Sequence, residues 1–137
     1  MYIIIAGCGK VGANLVKKMC AEGNDVVVID RDENNFLKLG GGSNCMTIVG
    51  MPIDEDILKE AGIERADALA AVTPDDNTNI MIAQIAQVLY HVPHVIARTT
   101  DPEIEQALTA LGLHTICSTT LTVDSFFNAL WEGEIKR

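Results

Sequence analysis

The chain has 137 residues, enough for one domain with a real core, and 48% of them are hydrophobic while only 4% are aromatic. The core must therefore be built from Ile, Val, Leu and Ala. The formal net charge of -9 argues against broad nucleic-acid binding, because a phosphate backbone would be repelled, but it leaves room for one nucleotide held by local groups.

The first thirty residues read as strand, glycine turn, helix, strand, acid. Tyr2-Ile3-Ile4-Ile5-Ala6 is a β-branched apolar run, followed at once by Gly7-Cys8-Gly9-Lys10-Val11-Gly12, which fits G-x-G-x-x-G. The pattern predicts a helix over Val11 to Ala21, a break at Glu22 to Asp25, and a second strand over Val26 to Ile29 that Asp30 closes. The acid falls about twenty residues past the glycines, as a dinucleotide-binding fingerprint requires. Gly7 allows the tight turn, Gly9 the approach of a phosphate, and Gly12 the packing of helix on strand. The helix N-terminus offers unpaired N–H groups to an anion. Asp30 can accept hydrogen bonds from a ribose diol, and it would repel a 2′-phosphate, which favours NAD over NADP; Arg31 weakens that preference.

Next, Arg31-Asp32-Glu33 predicts a helix start with acids in its first turn, ended by Gly40-Gly41-Gly42 as a C-terminal stop or a flexible loop, the stop being favoured. Met46 to Val49 reads as a third strand ending at Gly50, and its C-terminal end, Gly50 and Met51, borders the adenine side of the expected crevice. Asp54-Glu55-Asp56 caps a short helix to Glu60. Ala68 to Val72 is a continuous apolar run, as in a buried parallel strand. Thr73 to Asn79 is a polar turn at that strand's C-terminal end, where open α/β sheets bind ligands.

A helix is predicted over Ile80 to Tyr90, with Met81, Ile82, Ile85, Ala86 and Leu89 as its core stripe. His94 to Ala97 is a fifth strand ending in Arg98, which is either a solvated charge or a phosphate or carboxylate ligand. Asp101-Pro102 opens another helix, with Ile104, Ala107, Leu108 and Leu111 on its buried side. His114 to Cys117 is a sixth strand, and Ser118-Thr119-Thr120 caps a last helix carrying Val123, Phe126, Phe127, Leu130 and Trp131. That helix either packs on its own sheet or meets another subunit. Six strands alternating with helices predict a Rossmann-type, doubly wound parallel sheet in three layers over residues 1–131, with 132–137 as a polar tail.

The remaining chemistry is sparse. Cys8, Cys20, Cys45 and Cys117 lack C-x-x-C spacing, so they read as small buried hydrophobes, with Cys8 the one near a ligand. His91 and His94 flank Val92-Pro93 in what reads as a solvated turn, and no metal site is expected. Met1 leads straight into a strand without a signal peptide, and no apolar run approaches transmembrane length. The expectation is a cytoplasmic chain whose membrane role, if any, comes through a partner.

Taken together these residues resemble a family, the TrkA N-terminal (RCK or KTN) nucleotide-binding domain of potassium-transport regulators. The matching pieces are Ile4 to Gly12, Val28 to Asp32, Ile48-Val49-Gly50, Leu58 to Asp67, Ala71 to Asn79, Ala97-Arg98 with Asp101-Pro102, and Leu111-Gly112. The resemblance implies a cytoplasmic regulatory subunit that binds NAD or NADH, or ADP or ATP. It implies a homodimer or higher ring, often joined through C-terminal helices, beneath a membrane potassium transporter or channel subunit. It also implies site residues: Gly7, Cys8, Gly9, Lys10, Val11 and Gly12 around the phosphates, with Lys10 facing them; Asp30 on the ribose with Arg31 beside it; Gly50 and Met51 near the adenine; Thr73 and Asn79 along the far half; and Arg98 toward a phosphate or a neighbouring group.

Two departures stand out. Met51 stands where the family often has an acid after Gly50, and Cys117-Ser118-Thr119-Thr120 replaces a Pro-Glu-like segment. The family's second, C-terminal ligand domain is also absent, which suggests a separated domain or a short stand-alone form. An NAD-dependent oxidoreductase is the alternative, but no convincing acid–base pair is visible; His114 is a single candidate.

Overall fold

The computed structural model describes residues 1–41 and 44–135. Six strands form one parallel sheet: β1 (Tyr2–Ala6), β2 (Asp25–Asp30), β3 (Met46–Val49), β4 (Ala68–Ala71), β5 (His94–Thr99) and β6 (His114–Cys117). Their order is β3-β2-β1-β4-β5-β6, so β1 pairs with both β2 and β4 and the connection after β3 crosses to the other half of the sheet. A Rossmann-type doubly wound sheet has this order, and its ligand crevice lies where the winding reverses.

The helices are α1 (Lys10–Ala21), α2 (Glu55–Glu60), α3 (Asp76–Gln84), α4 (Pro102–Ala110) and α5 (Ser118–Ile135). Side-chain alternation along β1 divides the core in two. Ile3 and Ile5 join Val26 and Val28 beneath α1, with Ala13 and Val16 above them. Ile4 and Ala6 join Val27 and Ile29 on the opposite face, under Leu58 of α2 and Ile82, Ala83 and Ala86 from the α3 segment. Both faces of β1 and β2 are covered, so these strands read as unbroken apolar runs.

Several local expectations shift. The segment after Asp30 is a 3-10 helix, Glu33–Leu39, rather than an α-helix; Asp32 caps it by accepting the Asn34 N–H at 3.0 Å. Gly40 follows with φ of 68°, as a stop requires, while Gly42 lies outside the described residues. The turn expected over Thr73 to Asn79 is shorter. α3 starts at Asp76 because Asp75 accepts hydrogen bonds from the Thr78 N–H (2.9 Å) and hydroxyl (2.5 Å).

This early start changes the buried stripe to Asn79, Ile82, Ala83 and Ala86, leaving Met81 and Leu89 half exposed. The helix then widens into a π turn over Ile85–Leu89, where the Tyr90 N–H reaches back to the Ile85 carbonyl. In α4 only Leu108 is fully buried; Ala107 and Leu111 face solvent.

The last helix departs most. α5 leaves β6 at Ser118, and from Leu121 to Glu132 every residue is exposed. Phe126, Phe127, Leu130 and Trp131 are 54–72% exposed. It does not pack on its own sheet. The helix continues through residues 132–135, where a polar tail is expected, and Lys136 and Arg137 lie outside the described residues. On the α1 face, β4, β5 and β6 therefore carry no helix. They floor an apolar groove of about 760 Å³, lined by Leu15, Ala70, Val72, Ile96 and Ile116.

Candidate functional site

Two strand-to-helix junctions meet at the C-terminal edge of the sheet. The first runs from β1 through Gly7 to α1. Gly7 has φ of 110°, and a Cβ there would lie 2.9 Å from the Thr73 nitrogen. A Cβ on Gly12 would lie 1.9 Å from the Gly7 carbonyl oxygen, so the helix can sit on the loop only if this residue has no side chain. Gly9 has nothing within 4 Å on that side. It is the N-cap of α1 and supplies no side-chain cap; no acid stands in the first turn. Among the described residues, the leading N–H groups of α1 thus have no carboxylate or hydroxyl bound to them, as an anion-binding helix end requires. Lys10 is exposed at the first helical position.

The second junction, from β4 to α3, is closed. Asn79 is fully buried and its side-chain amide is used completely. Its Oδ1 accepts the Thr73 N–H at 2.8 Å and the Thr73 hydroxyl at 2.7 Å; its Nδ2 donates to the carbonyls of Thr73 and Arg98, both at 3.0 Å. Asn79 therefore lies beneath the crevice and fixes Thr73, instead of lining the crevice itself. Asp76 bridges α3 to the end of β5, accepting from the Thr99 hydroxyl and from the Thr100 N–H and hydroxyl.

Between these junctions lies a polar crevice of about 490 Å³. Of the residues singled out by sequence, Gly7, Asp30, Arg31, Met51 and Thr73 line it, and Asn35, Asp75 and Thr78 join them. The apolar groove is larger, but it lies on the bare sheet face. The crevice has the glycine loop, the acid and the strand ends, so it is the candidate ligand site.

Asp30 is 9% exposed and already occupied. Its Oδ2 accepts the Cys8 N–H at 2.8 Å; its Oδ1 accepts the Asp32 N–H at 2.8 Å and the Asn35 side-chain amide at 3.0 Å. A carboxylate offers about four acceptor positions, which leaves about one, on Oδ2, for a ribose hydroxyl. The acid thus shapes the glycine loop before any ligand arrives. Lys38 backs this arrangement, donating to Asn35 Oδ1 at 2.8 Å. Sequence reading overlooked Asn35 and Lys38; their only signal was a position in the segment that follows the acid.

Other expected residues fall elsewhere. Cys8 is fully buried; burial, and then Asp30, push its thiol up, so it is held inert and protonated. Val11 lines the apolar groove. Gly50 is a packing residue: a Cβ there would lie 2.6 Å from the Ile57 side chain. Arg98 lies inside β5, which extends to Thr99. Strand alternation places it with His94 and Ile96 in the apolar groove, while Ala97 and Thr99 are buried on the other side. Among the described residues its buried Nε has no hydrogen-bond partner. Asp75 is held below the usual carboxylate range by the Thr78 hydroxyl and N–H.

The TrkA-N domain family model matches residues 3–119. The chain belongs to this family. The TrkA-N domain is 39% identical over 130 residues to "Trk system potassium uptake protein TrkA" of Streptomyces coelicolor, covering 95% of this chain and 58% of that protein. The chain thus spans little more than half of that relative. The crystal structure of GsuK bound to ADP superposes with a TM-score of 0.79 at 24% identity, covering 94% of this chain and 33% of that one. The GsuK channel bound to NAD gives 0.69 at 20% identity, covering 84% of this chain and 21% of that one. At these identities the likeness establishes the fold.

Proposed function

We propose that this TrkA-N domain is a nucleotide-sensing regulatory module of a potassium uptake or channel system, with NAD(H) or ADP/ATP in the polar crevice. The observation that carries this reading is the uncapped N-terminus of α1, over a glycine turn and beside Asp30. The phosphates would meet the leading N–H groups of α1 and Lys10, and the ribose would take the free position on Asp30. The GsuK structures with ADP and NAD, and the TrkA relative, support the class of ligand and of partner. The partner would be a membrane transporter or channel subunit and the module cytoplasmic; no helix of the described residues is long and apolar enough to cross a membrane.

A regulatory role fits the crevice better than oxidoreductase chemistry. Asp30, Asp32 and Asp75 each accept a backbone N–H and hold the loops, and the position left on Asp30 would suit a ribose hydroxyl rather than acid–base work. A sensor needs only that the ligand bind two arrangements unequally. The arrangements would be those of a homodimer, in which a second copy would cover the exposed apolar residues of α5 and the bare groove. Isothermal titration with NAD, NADH, ADP and ATP tests the reading. Binding by at least one is expected, and a folded protein that binds none of them would sink it.

A further inference from the structure

We propose that Cys20 and Cys45 form a reversible intramolecular disulfide. Cys20 lies in the last turn of α1, and Cys45 immediately precedes β3. Strand register puts both at the same edge of the sheet. α1 returns to β2 at Asp25, opposite Tyr2, and β3 enters at Met46, opposite Val27. Both cysteines therefore stand at the N-terminal edge of the sheet, away from the crevice. Both are half-buried, and both pack against the apolar cluster that α1 covers.

The two side chains are close enough to hydrogen-bond with each other. Burial, followed by the Cys45 contact, pushes the Cys20 thiol up. The other thiols are placed differently. Cys8 is fully buried, its Sγ 3.5 Å from the Asn35 carbonyl, and Cys117 is buried at the far end of β6.

The oxidant is a small-molecule disulfide. One cysteine thiolate attacks a sulfur of that disulfide; a mixed disulfide forms as the oxidant's S–S bond breaks and one thiolate leaves. The second cysteine thiolate then attacks the protein sulfur and releases the other thiolate. Two electrons pass from the cysteines to the oxidant, and the two protons end on the two released thiols. Excess thiol reverses both steps. The new bond would close a covalent loop over residues 20–45, which contains β2, Asp30 and Asn35, and would restrict that segment in the unfolded chain.

The 137-residue chain, incubated natively with glutathione disulfide, tests this. Cleavage after Lys18, Arg31 and Lys38 puts Cys20 and Cys45 on separate tryptic peptides. The expected result is loss of two of the four thiols, a mass decrease of about 2 Da, a cross-linked pair of those two peptides and full reversal by excess glutathione. Four free thiols, persistent glutathione adducts, or a bond to Cys8 or Cys117 would overturn the assignment. Cys45→Ser provides the second measurement: it should leave Cys20 without an intramolecular bond, and a Cys20 bond to another cysteine in that variant also counts against the pair.

Discussion

The two junctions at the top of the sheet have the same local plan and opposite finish. Each runs from a buried strand through a turn into a helix. At β4–α3 the helix end is filled by the protein: Asp75 caps it and Asn79 occupies the turn with four hydrogen bonds. At β1–α1 the cap is Gly9 and the helix end is left open. A helix N-terminus carries about half a positive charge, and its N–H groups need partners. One junction satisfies that need internally. The other leaves it for an anion. The difference lies in a few side chains, since the backbone plan is shared, and under the proposed function the open end would be the phosphate side of the site.

Three substitutions break or sharpen the contrast. Gly12→Val should have the largest effect. The first carbon alone would overlap the Gly7 carbonyl, so α1 must lift off the loop. A loss of about 4 kcal/mol or more is expected, read as a lowered denaturant midpoint or failure to fold. Asn79→Ala should come next. It strands buried donors and acceptors on Thr73 and Arg98 at once, and about 2–4 kcal/mol of stability should be lost. A variant as stable as the parent would mean that water replaces the amide and that the closed junction is not fixed by this residue.

Gly9→Asp should have the smallest effect on stability and the most informative one. It gives α1 the cap that α3 has. Stability should hold or rise slightly, while nucleotide affinity should fall at least about tenfold, through loss of the free N–H groups and repulsion of phosphate. Unchanged affinity in a titration calorimeter would place the phosphates elsewhere.

Much of this was readable in the chain. The βαβ unit, the tight packing of Gly12 on Gly7 and the position of Asp30 follow from spacing, because they depend on contacts between residues near in sequence. β1 and β2 follow from unbroken runs of Ile and Val, because strands covered on both faces take apolar residues at nearly every position. Asn79 was singled out as a ligand contact, and it proved to be the brace behind Thr73. Nothing local distinguishes those roles; the distinction needs the Arg98 carbonyl, which arrives from another strand.

Arg98 illustrates the same limit. Its type and position at a strand end suggested either a solvated charge or a phosphate or carboxylate ligand. The extension of β5 to Thr99 sets the alternation that turns it into the apolar groove instead. The face of α5 could be read as apolar, but whether it had a sheet to cover could not. Sequence alone determined the parallel α/β sheet, its opening dinucleotide-type unit and the family resemblance, since periodicity and spacing are properties of the chain itself. The tertiary structure decided which helix end stays open, which face Arg98 takes and that α5 stands unpartnered, since each depends on register and coverage between segments far apart in sequence.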